Sequence, residues 1–265
     1  ARRTVRTSHH VTQTVWDPDR YLKFADERGR PFADLIQRVS GDPSTIVDLG
    51  CGPGQLTGIL RERWPSAKIL GVDSSSEMID QANAGNTDAA VRYELGDVAD
   101  WTGRADLIVS NAMFQWVHNQ LDVIKRLTDI TETFALQVPN NFDAPSHALM
   151  REVAGQEQYA DHLQDVEFRT GVDAGTYLDL FAGLGWTVDA WETTYQHILQ
   201  GEDAVFEWIS GTGARPVLQA LPDDIRPRFE ADYKAALREA YPCRDWGTVL
   251  PFARVFVVAR RPDSV

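Results

Sequence analysis

Short apolar runs recur along this chain, several of them closed by glycine, aspartate or asparagine, with helix-like stretches between them. The runs at 46–49, 68–72, 91–95, 107–110 and 134–138 predict five strands, and 186–191 and 255–259 predict two more. Residues 55–63 and 76–83 predict helices, the second with Ser74 or Ser75 as N-cap and Glu77 in its first turn. Strand alternating with helix from Thr45 onward implies a mostly parallel sheet. Three segments have no place in a minimal sheet of that kind: about 16–39, 140–170 and 197–251. Each joins the sheet near the carboxyl ends of its strands, where open α/β folds bind ligands, so together they predict a helical lid. A helix at 121–127 runs into 128–133 with neither Gly nor Pro to end it. Either it stops without a glycine cap, or residues of a mobile turn are missing from the chain.

Candidate chemistry begins at the first strand. Ile46-Val47-Asp48-Leu49 leads into Gly50-Cys51-Gly52-Pro53-Gly54, an apolar strand opening onto alternating glycines. Residues without Cβ tolerate positive φ and let a ligand approach the backbone closely, and the helix that follows points its N-terminal amides at that ligand. Asp73 closes the second strand 19 residues beyond Gly54, where a dinucleotide-type fold places the acid that holds ribose hydroxyls. The combination predicts an adenosine ligand. Pyrophosphate turns read Gly-x-Gly-x-x-Gly, whereas these glycines are spaced two apart and preceded by an acid. An acid suits a cationic tail and would repel a diphosphate.

Size and composition narrow the setting. With 265 residues there is room for one large α/β domain carrying a cap. Residues 1–15, basic at Arg2, Arg3 and Arg6 and without an apolar core, read as a mobile leader, and 16–265 as a single domain. No run is long enough for a membrane span. Cys51 and Cys243 are the two cysteines, which excludes a disulfide scaffold, points to a reducing cytoplasm and leaves no metal-ligand cluster. The net charge of −13 opposes nucleic acid. It also opposes an anionic small molecule, whose pocket must then concentrate cationic donors.

The glycine loop, with Asp73 in register and Asp97 closing Tyr93-Glu94-Leu95-Gly96-Asp97, resembles the class I S-adenosylmethionine-dependent methyltransferases. The resemblance implies a Rossmann-like α/β sheet of seven strands, mostly parallel with the last antiparallel, helices on both faces and a substrate lid. It also implies S-adenosylmethionine as cofactor. Asp48, Gly50, Gly52 and Gly54 would flank the amino-acid tail, Asp73 the ribose and Asp97 the adenine, with Ser74 and Val98 as further cofactor contacts. The fourth strand would deliver Asn111, Gln115 and Trp116 to the methyl group. No Pro-Pro-aromatic run follows that strand, which argues against base methylation.

The less generic pieces, Trp-Asp-Pro-x-x-Tyr at 16–21, Asn-x-x-x-Pro-Ser-His at 141–147, Thr-Thr-Tyr-x-His at 193–197 and Arg215-Pro216, resemble, within that family, enzymes that esterify a small tricarboxylic acid. The likeness runs from Trp16 to about Arg260. A carboxylate is already ionised at neutral pH and needs no general base, so positioning suffices and no catalytic residue is assigned. A polyanionic partner needs planar donors, for which Arg215 in a glycine-flanked loop is the first choice, followed by His197, Tyr195, His147, Asn140 and Arg28. The rival within the fold is methylation of a phenol or amine, with His118 as its base. A dehydrogenase is disfavoured by the glycine spacing, and a sensing module without turnover is the rival outside enzymes. Oligomeric state is not legible.

Overall fold

The computed structural model describes residues 29–262; the leader, the 16–21 cluster and Arg28 lie outside the described residues. Seven strands form one sheet in the order β3-β2-β1-β4-β5-β7-β6. They are β1 Thr45–Leu49, β2 Lys68–Asp73, β3 Val91–Leu95, β4 Ala105–Asn111, β5 Thr131–Pro139, β6 Thr187–Leu199 and β7 Thr248–Arg260. β1 to β5 pair in parallel, and β7 runs antiparallel to both β5 and β6.

Successive side chains of a strand point to opposite faces, so the apolar runs of the inner strands supply two cores at once. Ile46, Leu107, Val109, Ala135 and Phe256 face one layer, where α1 (Gly29–Gln37) and α2 (Thr57–Arg63) bury Phe32, Leu35, Ile36, Ile59 and Leu60. Val47, Leu49, Ile108, Phe134 and Val257 face the other, where α4 (Gln120–Thr128) and α7 (Ala174–Gly183) bury Ile124, Leu127, Tyr177 and Phe181. Helix α3 (Ser76–Gly85) follows β2, and the Ser75 hydroxyl accepts from Met78 N at its N-terminus. The predicted Rossmann-like sheet with helices on both faces is therefore the one observed.

A third core is built mainly from helices, joined by Leu199 of β6 and Leu250 and Phe252 of β7. α5 (Pro145–Ala154) and α6 (Glu157–Leu163) follow β5; α8 (Ala204–Ser210), α9 (Arg215–Ala220) and α10 (Arg226–Ala240) lie between β6 and β7. Met150, Tyr159, Phe206, Ile209, Phe229 and Tyr233 pack together there. Tyr233 Oη donates to Ser146 O at 2.7 Å, and Ser146 N donates to Tyr241 Oη at 2.9 Å. These helices form a cap over the sheet.

Several predicted boundaries move. The helix expected from residue 55 starts at Thr57, because Gly54 at φ +79 and the Gly54 N to Cys51 O bond spend two more residues in the turn. The last two strands are longer than their apolar runs, since β6 and β7 pair continuously from Thr187↔Arg260 to Leu199↔Thr248 and the backbone ladder carries polar residues along with it. Residues 197–199 and 248–251, counted with the lid, are thus strand. Helix α4 ends at Thr128 without a glycine. Arg261 Nη2 donates to the carbonyls of Thr128 and Thr131, satisfying backbone acceptors at a helix end that a Schellman turn otherwise serves.

Candidate active site

The carboxyl ends of β1, β4 and β5 and the underside of the cap enclose a cavity of about 800 Å³, within the range of small-molecule sites. Its floor is the β1–α2 loop. Gly50, Gly52 and Gly54 have φ of +78, +55 and +79, backbone that only glycine adopts without strain. Two of the three are held by neighbours: a Cβ on Gly50 would meet Met113 Cγ at 2.4 Å, and one on Gly54 would meet Tyr93 Oη at 2.6 Å. A Cβ on Gly52 would meet nothing within 4 Å.

Two carboxylates shape this loop. Asp48 is buried beneath it and accepts from Thr57 Oγ1 at 2.8 Å. Burial pushes its pKa up to about 6, with nearby Asp73 adding to the rise and the Thr57 bond working against it. Asp73, closing β2, accepts from Gly52 N through Oδ2 and from Ser75 N through Oδ1, both at 2.9 Å. Cys51, between the glycines, is buried, and its thiol is held neutral by that burial and by both acids.

The β4 end supplies amides. Ala112, at φ +53, turns the chain so that Gln115 Nε2 donates to Ala112 O at 2.7 Å. Gln115 Oε1 is buried with no hydrogen-bond partner among the described residues. Arg254 of β7, 6% exposed, donates from Nη1 to Gln137 Oε1 at 2.7 Å, and Gln137 Nε2 donates to Asn111 Oδ1 at 2.7 Å. A guanidinium is thereby tied across β5 to the end of β4.

The walls add more positive groups. Arg151 of α5 donates to Phe142 O at 2.8 Å, and Arg169, between α6 and α7, lies over the Trp116 ring with Cζ 3.5 Å from its centroid. His147 is buried against Phe142, and burial together with Arg151 pushes its pKa down to about 4, so it is neutral at physiological pH. Gly213 accommodates it, since a Cβ there would meet His147 Nε2 at 2.6 Å.

Of the residues singled out from sequence, Asp48, Gly50, Gly52, Asn111, Gln115, Trp116 and His147 line the cavity. Gly54, Asp73, Ser74, Asp97 and Val98 do not line it and sit in the loop or at the neighbouring ends of β2 and β3. Asp97 is exposed and accepts from Ala99 N at 2.8 Å. The lid candidates fare differently. Arg215 is exposed at the first position of α9, outside the lining. Tyr195 also lies outside it and donates to Asp34 Oδ2 at 2.6 Å. His197 is packed among Tyr195, Trp208 and Phe252, and Asn140 lies 3.5 Å from Glu192 Oε1. His118 is exposed past the β4 end. Sequence reasoning chose neither Arg169 nor Arg254, nor Arg151 as a ligand. Arg254 had a signal, a lone cation inside the apolar run from Phe252 to Ala259; Arg169 had none.

A family model described as a methyltransferase domain matches residues 13–192, more than half of the chain. The chain belongs to that methyltransferase family. It is 48% identical over 260 residues to a trans-aconitate 2-methyltransferase of Streptomyces avermitilis, covering 93% of this chain and 97% of that one. It is 45% identical over 270 residues to the trans-aconitate 2-methyltransferase of Streptomyces coelicolor, covering 96% and 89%. Among solved structures, the YcgJ protein from Bacillus subtilis shares the fold with a TM-score of 0.55 at 12% identity, covering 87% of this chain and 97% of that one.

Proposed function

We propose that this protein transfers the methyl group of S-adenosylmethionine to a carboxylate of trans-aconitate, giving the methyl ester and S-adenosylhomocysteine. The observation that carries the reading is a cavity lined by Arg151, Arg169 and Arg254 together with the glycine loop, in a protein of net charge −13. Identity of 45–48% to two trans-aconitate 2-methyltransferases supports it.

The residues present fit the cofactor. Gly52 leaves a cradle that a Cβ would fill. Asp48 is a buried acid beneath it, suited to a cationic tail, and Gln115 Oε1 is a buried acceptor that an ammonium donor would satisfy. Asp48, Gly50, Gly52, Gly54, Asn111 and Gln115 would hold the amino-acid end. Asp73 and Ser74 would hold the ribose, and Asp97 and Val98 the adenine, at the open ends of β2 and β3. When bound, S-adenosylmethionine supplies an electrophilic methyl whose S–C bond breaks as the acceptor's C–O bond forms.

The chain's own residues contribute position. The acceptor carboxylate is ionised at neutral pH, so no side chain has to remove a proton. The guanidiniums offset the repulsion that a trianion meets from the rest of the molecule, and neutral His147 offers a hydrogen bond without adding charge. The cap covers the reacting centre and excludes water. We place these steps in one domain from residue 16 onward, acting on a small polycarboxylate in the cytoplasm; Cys51 and Cys243 are both free thiols. No helix among the described residues is long and apolar enough to cross a membrane, and no group of three or more His, Cys, Asp or Glu among them could hold a metal.

The test is transfer of label from methyl-labelled S-adenosylmethionine to a panel of tricarboxylates, phenols and amines. Labelled trans-aconitate ester is expected. A labelled phenol or amine, with the acids unlabelled, would overturn the carboxylate assignment.

A further inference from the structure

Arg169 lies on the segment between α6 and α7, far in sequence from the sheet, yet its guanidinium rests on Trp116, just past the β4 end. Both residues line the cavity. The stacking is close, and Trp116 is 47% exposed, so the ring acts as a shelf inside the site. A guanidinium on an aromatic face keeps its N–H groups in its own plane, directed past the ring edge, where a carboxylate can meet them two at a time. One of those nitrogens, Nη1, is buried and has no hydrogen-bond partner among the described residues. A buried donor left without a partner is costly, and the charge it carries makes it more so. Burial pushes the Arg169 pKa down, and nearby Glu167 works against that without forming an ion pair among the described residues.

We infer that Arg169, fixed on Trp116, is the specificity-determining residue that grips a non-reacting carboxylate of the substrate and sets its register beneath the methyl group. The inference rests on the carboxylate-methylation reading above. A bidentate grip on the reacting carboxylate would occupy both of its oxygens, so the group held by Arg169 is one of the other two. A tricarboxylate then reads as a substrate with a reactive group and anchors. An acid lacking the Arg169-held anchor leaves the buried Nη1 donor without a partner, which is a strong way for a polar site to reject an analogue.

Three dicarboxylates each remove one carboxylate from trans-aconitate: itaconate, mesaconate and glutaconate. Calorimetric titration of each, and of trans-aconitate, into the protein saturated with S-adenosylhomocysteine measures binding without turnover. Arg169→Gln is expected to raise the dissociation constant of trans-aconitate at least tenfold, about 1.4 kcal/mol. Two of the dicarboxylates should show the same penalty, and the third, which lacks the held group, should bind wild type and variant alike. Arg169→Lys should recover less than half of the loss on a logarithmic scale, since it keeps the charge without the planar fork. S-adenosylhomocysteine affinity, measured in the same samples, should stay within twofold, which separates a local effect from a damaged fold. An unchanged trans-aconitate constant, or an equal penalty for all three dicarboxylates, would overturn the role of Arg169. Failure of the wild-type protein to bind trans-aconitate would instead overturn the carboxylate reading itself.

Discussion

Asp48 shows how one buried side chain sets both a charge and a pH range. Its pKa of about 6 arises because burial disfavours the ionised form more than the Thr57 hydroxyl supports it. Above that value the acid is ionised and, on the proposed function, would attract a cationic amino-acid tail; below it the acid is protonated and the attraction would fade. S-adenosylhomocysteine should therefore bind more weakly as pH falls from 7 through 6 to 5, with proton release on binding in the lower part of that range. Calorimetry in buffers of different ionisation enthalpy measures both. Asp48→Asn should weaken binding at pH 7.5 by about 1–3 kcal/mol, the cost of losing a charged partner, and should flatten the pH profile. A wild-type affinity that is level from pH 7.5 to 5 would remove Asp48 from the cofactor's charge environment.

Among elements, the β1–α2 loop carries the sharpest contrast. Gly52 and Gly54 share a positive φ but differ in what surrounds them: open space at Gly52, the Tyr93 ring at Gly54. Alanine at either position costs roughly 1–2 kcal/mol of backbone strain. At Gly54 the collision with Tyr93 adds about 1–3 kcal/mol of overpacking. Gly54→Ala should accordingly show the larger fall in melting temperature, while Gly52→Ala should lose more cofactor affinity for each degree lost. Thermal scans with and without S-adenosylhomocysteine decide it; normal binding by Gly52→Ala would mean that its open space is not the cofactor's. This loop was legible in sequence because each rule it obeys is local: a buried strand, residues without Cβ, an acid at fixed spacing. The inner strands were legible for the same reason, since burial on two faces writes an unbroken apolar run. The cap was not. Gly211 and Gly213 flank Arg215 in the sequence like the glycines of a mobile loop, yet neither has a positive φ, and Gly213 is small to make room for His147. Arg169 meets Trp116 only through the tertiary fold, and nothing local to residue 169 records that meeting.

At the scale of the molecule, the two sheet cores and the cap core are built from different residues, and the cavity lies where they face one another. Phe229 is fully buried in the cap, edge-on to Tyr159 at 5.2 Å between ring centroids. Phe229→Ala should cost about 3–5 kcal/mol. The loss should fall unevenly: amide exchange should quicken across α5, α6 and α8–α10 while β1–β5 stay protected, and trans-aconitate affinity should fall further than cofactor affinity. Uniform exchange through sheet and cap would mean that the two unfold as one unit. The cationic walls of the cavity have one more consequence. On the proposed function, Arg151, Arg169 and Arg254 would hold a trianion inside a protein whose net charge of −13 repels it. Esterification would turn that trianion into a dianion, so the grip would weaken while the surrounding negative field still pushed outward. Chemistry at one carboxylate would thus switch the balance from retention to expulsion, and the departure of the ester would need no separate opening signal.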